Sequence, residues 1–106
     1  FAPAHKILDA GASLVIASDW NPGSAPSGNL LTTAAILGAY EKLTMSEVWA
    51  ALTFRAALAL NKTDRGILKS GYKADFITFK THDFQEILYS QGELRPEKIW
   101  KNGTLK

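Results

Sequence analysis

The run Ser13-Leu14-Val15-Ile16-Ala17-Ser18 constrains this chain more than any other stretch. Its nearly continuous apolar character predicts a strand over Gly11–Ser18 covered on both faces, the pattern of parallel sheets and barrel interiors. Turn formers fill Asn21 to Asn29, with prolines at 22 and 26 and glycines at 23 and 28. A helix is predicted from Leu30 to Tyr40, with Asn29 or Ser27 as its cap. Strand, polar loop and helix make a βα unit. A single strand of parallel type cannot form a parallel sheet by itself. Its partners therefore lie outside this chain, or the piece assembles differently from a longer parent. The first residue, Phe1 rather than Met, is also what a piece of something longer would show.

Composition sets the remaining bounds. With 106 residues, 46% hydrophobic and 21% charged, the chain has the makings of one ordinary folded unit and not of a disordered one. Its formal charge of +2 is small and its basic residues form no run, which argues against a nucleic-acid surface. No apolar stretch approaches the ~20 residues of a membrane span. There is no cysteine, so disulfides and thiolate metal sites are both excluded. A cytoplasmic setting fits that usage, and no signal peptide is visible at the N-terminus.

The rest of the chain reads as helices followed by short strands. Pro3 to Ala10 predicts a short helix with Gly11 just past its end. Thr44-Met45-Ser46-Glu47 has the spacing of a capping box and starts a helix that runs to Leu52. Thr53 is expected to cap a further helix through Leu60. Beyond Asn61 the pattern changes to short apolar runs broken by glycine. Strands are predicted at Gly66–Leu68 and at Asp75–Phe79, a short helix at Phe84–Tyr89, and a closing hairpin that turns at Asn102-Gly103.

The residue that could carry chemistry is Asp19. A side chain at the C-terminal end of a buried strand points into the mouth of a barrel or sheet, where α/β enzymes place their sites. A carboxylate there can hold a metal or take a proton from a metal-bound water. Equally, Asp19 could hydrogen-bond its own backbone in an Asx-turn ahead of Asn21-Pro22. Position alone leaves both readings open. The following loop favours a site, because Asn21, Gly23 and Ser24 offer an amide, a close-approach backbone and a hydroxyl within a few residues. The two histidines add little. His5 falls in a surface helix and His82 in the polar turn "THDF", and neither has a second ligand at metal-type spacing. Trp49 and Phe54 read as core, and Arg55 and Asp64 as surface or helix-end contacts. No serine lies in a nucleophile-elbow turn, which argues against a Ser-His-Asp triad.

Three stretches carry a resemblance. "ASDWNPGSAPSGNLLTTAAILGAYEKLT" closely resembles the C-terminal part of the imidazolonepropionase family, within the metal-dependent amidohydrolase superfamily. "LTFRAALALNKTDRGILKSGYKADFITF" is similar to the superfamily's general ending, a helical T-x-x-x-A segment before a G-x-L-x-x-G-x-x-A-D strand. The closing "IWKNGTLK" matches that ending too. The resemblance implies an α/β fold: the last βα unit and extra helices of a (β/α)8 TIM-type barrel over 1–64, then the C-terminal strands of a small β-sandwich over 65–106. It makes Asp19 a metal ligand and catalytic residue, and Asn21, Gly23 and Ser24 substrate contacts. The implied reaction is metal-assisted hydrolysis of 4-imidazolone-5-propanoate to N-formimidoyl-L-glutamate, in histidine degradation.

The implied cofactor is zinc or iron, with its remaining ligands outside this chain, because the family's histidine pair and further histidines are absent here. The parent is expected to be a homo-oligomer that binds a small-molecule substrate and neither nucleic acid nor membrane. The piece alone is expected to be inactive and prone to self-association. Asn61 departs from the pattern, standing where many relatives have glycine. Two other readings compete: another cyclic-amide hydrolase or deaminase of the superfamily, and a non-catalytic small-ligand or interaction module.

Overall fold

The structure, a computed structural model, describes residues 3–17, 30–89 and 96–106. These form a mixed α/β arrangement. Helices α1 (Ala4–Asp9), α2 (Leu30–Tyr40), α3 (Met45–Leu52) and α4 (Phe54–Ala59) come first. Strand β1 (Phe76–Thr78), helix α5 (Phe84–Tyr89) and strands β2 (Lys98–Lys101) and β3 (Thr104–Leu105) follow. The strands pair antiparallel in the order β1-β2-β3.

Local chemistry explains where the helices start and stop. Before α3 the capping box forms as its spacing requires: the Glu47 N–H donates to Thr44 Oγ1 at 3.1 Å, and the Thr44 N–H donates to Glu47 Oε1 at 2.8 Å. Thr53 does not cap α4. Its hydroxyl instead donates back to the Trp49 carbonyl at 2.6 Å, which uses the group on the end of α3. Helix α4 ends at Ala59, with Leu60 as its C-cap residue.

Helices α1, α2 and α4 end in one motif, in which a left-handed residue lets two N–H groups reach back to otherwise orphaned carbonyls. After α1, Gly11 N–H meets Leu8 O at 2.9 Å and Ala12 N–H meets Ile7 O at 3.1 Å. After α2, Lys42 N–H meets Ala39 O at 3.4 Å and Leu43 N–H meets Gly38 O at 2.9 Å. After α4, Asn61 N–H meets Leu58 O and Lys62 N–H meets Ala57 O, both at 2.9 Å. The left-handed positions are Gly11, Lys42 and Asn61, with φ of 80°, 54° and 58°.

The strand expected over Gly11–Ser18 is not formed. Ser18 lies outside the described residues, and residues 12–17 are neither helix nor strand. Their backbone is tied to the fold at Ile16, whose N–H donates to Ala51 O at 3.2 Å. Burial alternates: Leu14 and Ile16 are buried while Val15 is 41% exposed, so one side of the segment is covered and not two. The cause is the one raised by the sequence, since no described strand stands beside this segment to complete a ladder. The segment still supplies core. Leu14 and Ile16 pack in one cluster with Ala4, Ala34, Leu37, Val48, Ala51 and Leu88. Burying a side chain the size of Leu or Ile is worth about 1.5–3 kcal/mol.

Helix α2 presents Ala34, Leu37 and Gly38 to that cluster, the i, i+3, i+4 face of a helix. Gly38 permits the close approach to α3, because a methyl group there would stand 3.0 Å from Val48 Cγ2. Trp49 is half-buried and packs against the margin of this cluster, whereas Phe54, also half-buried, is not part of it, so neither sits in the core's centre as expected. Trp49 carries a buried indole N–H without a partner among the described residues.

No strand forms at Gly66–Leu68, a second departure from expectation. Gly66 takes φ of 97° and lies so close to α4 that a Cβ would stand 2.9 Å from Phe54 Cα and 3.0 Å from Ala57 Cβ. The chain bends here, and the Lys73 N–H closes the loop by donating to Asp64 O at 2.7 Å. Asp64 also pairs with Arg65 at 3.0 Å and with Lys73 at 3.9 Å, a surface contact of the kind expected for it.

Candidate functional site

Asp19, Asn21, Gly23 and Ser24 all lie outside the described residues. So do the proposed helix caps Ser27 and Asn29. The described structure gives the segments that flank the stretch 18–29. On its N-terminal side, residues 12–17 are pinned by buried Leu14 and Ile16 and by the Ile16–Ala51 hydrogen bond. On its C-terminal side, α2 begins at Leu30 and is held in the core by Ala34 and Leu37. The described segments on either side of residues 18–29 thus share one apolar cluster.

Among the described residues there is no group of three or more His, Asp or Glu side chains that could hold a metal ion. The histidines are placed apart from one another. His5 is exposed and its Nε2–H donates to the Lys42 carbonyl at 2.9 Å, which ties α1 to the left-handed cap of α2. His82 is exposed in the turn before α5, where its neighbours do the capping. Asp83 Oδ1 accepts from the Gln85 N–H at 2.9 Å, and the Thr81 hydroxyl bonds Glu86 Oε2 at 2.7 Å. Arg55 donates from Nη1 to Ser13 Oγ at 2.8 Å and lies over the Phe54 ring, 5.3 Å from its centroid. These contacts hold the scaffold together. The described residues do not by themselves make a metal centre.

Three carboxyl groups sit below the ordinary carboxylate range, each for a structural reason. The backbone N–H of Thr44 lowers Glu47, the Arg65 side chain lowers Asp64, and the backbone N–H of Asn102 lowers Asp75. Asp75 belongs to a clamp that the sequence did not disclose. Strands β2 and β3 turn at Asn102 and Gly103, whose φ values of 50° and 80° are those of a type I′ hairpin. The Asn102 N–H donates to Asp75 Oδ1 at 2.7 Å, the Gly103 N–H donates to Ala74 O at 2.9 Å, and Lys101 Nζ stands 3.5 Å from Asp75 Oδ2. Ala74-Asp75 thus grips the hairpin turn from the residues just before β1. The only cue in the sequence was the adjacency of an Asp to a strand start, which does not name its partner.

The sequence matches the family described as "Amidohydrolase family" over residues 1–104. This chain belongs to the amidohydrolase family. The amidohydrolase chain is similar to the imidazolonepropionase of Bacillus cytotoxicus, with 36% identity over 99% of its own length and 25% of the relative's. It is similar to that of Fusobacterium nucleatum at 38% identity, over 99% of its length and 26% of the relative's. The Bacillus mycoides imidazolonepropionase is 33% identical over 99% of this chain. The chain spans about a quarter of the length of these curated relatives. The amidohydrolase match covers the helical part and the antiparallel sheet up to Thr104. No helix among the described residues is long and apolar enough to cross a membrane.

Proposed function

We propose that this chain is the C-terminal portion of an imidazolonepropionase, a cytoplasmic hydrolase that opens 4-imidazolone-5-propanoate to N-formimidoyl-L-glutamate. One observation carries the reading: similarity to imidazolonepropionases over 99% of the chain, inside a family match over residues 1–104. Residues 1–64 would belong to a (β/α)8 barrel, with the segment before Asp19 as its last strand once neighbouring strands are supplied. Residues 65–106 would belong to a small β-sandwich.

Asp19 is assigned as metal ligand and catalytic carboxylate. The metal, zinc or iron, would take its other ligands from outside this chain. A carboxylate is ionised at neutral pH and can accept a proton from the attacking water and pass it to the leaving ring nitrogen. Asn21 and Ser24 would hydrogen-bond the substrate, and Gly23 would let the backbone approach it. These are the donor and acceptor types that a small polar ring with a carboxylate tail requires.

The test uses the full reading frame that encodes this chain, with ring opening followed spectroscopically. Asp19→Asn should lower kcat by about 10²–10⁴-fold, the usual worth of a positioned acid-base group. Asn21→Ala and Ser24→Ala should raise KM for the imidazolone. Unchanged turnover in all three variants would overturn the assignment. Residues 1–106 alone, supplied with zinc or iron, should show no turnover above background.

A further inference from the structure

We draw no further inference here: the strongest candidate, the open cleft of about 310 Å3 between α2, α3 and α5 lined by Ala34, Gly38, Met45, Val48, Leu88 and Tyr89, is a mainly apolar surface with nothing among the described residues to show what covers it.

Discussion

At Gly66 the chain has no room for a side chain. A Cβ would meet backbone of α4 at 2.9 Å, and backbone cannot swing aside as the end of a flexible side chain can. The φ of 97° adds strain for any L-residue. Gly66→Ala should therefore destabilise by about 2 kcal/mol or more, combining backbone strain with overpacking. A drop of several degrees in the thermal midpoint is expected, and an unchanged midpoint would show that the bend is not held as described. Asn61 makes the complementary case. Its φ of 58° lies in the left-handed region, which asparagine and glycine both tolerate at the position that closes α4. Asn61→Gly should leave the midpoint nearly unchanged, and Asn61→Ala should cost about 1 kcal/mol. Equal midpoints for the two variants would refute that reading.

Among the elements, the hairpin clamp has a pH signature. Asp75 accepts an N–H bond from Asn102 only in the folded chain, so its folded pKa lies below its unfolded one. The unfolded chain then binds more protons as the pH falls through about 4, and the folded state loses stability there. The contribution is present above the unfolded value and disappears toward the folded one. Asp64 and Glu47 act in the same direction. The thermal midpoint should fall between pH 5 and pH 3, and less steeply in Asp75→Asn. A parallel fall in the variant would remove Asp75 from the account.

Elements with local determinants were legible in the sequence. Though Thr53 does not cap α4, the capping box, the Asn-Gly hairpin and helices α1 to α5 follow from residues close together in sequence. The two missing strands do not, because a strand exists only with a partner. The run at Leu14-Val15-Ile16 has the composition of a strand but no described neighbour, and Gly66-Ile67-Leu68 is bent away by its contact with α4. The candidate site residues Asp19, Asn21, Gly23 and Ser24 lie outside the described residues, and in the sequence their polar groups favour a site while also suiting an ordinary turn.

For the whole molecule the imbalance between core and surface is the governing fact. The chain exposes 7421 Å2, whereas a compact monomer of 11.6 kDa should expose about 5,800 Å2. The excess of roughly 1,600 Å2 is about twice what one partner buries in a standard protein–protein interface. Much of what is exposed is apolar: Val15 within the unpaired segment 12–17, Ile77 and Ile99 paired across β1 and β2, and Leu60 and Leu68. An apolar segment without ladder partners invites pairing with another chain. Residues 1–106 alone should therefore self-associate as concentration rises, seen as increasing mass by light scattering. Val15→Lys should weaken that association, because a charge blunts such an edge and the position is already partly in water. Ile99→Lys, on the sheet, should weaken it less if the segment at 12–17 is the principal contact. A monodisperse monomer at high concentration would show that water alone covers these surfaces.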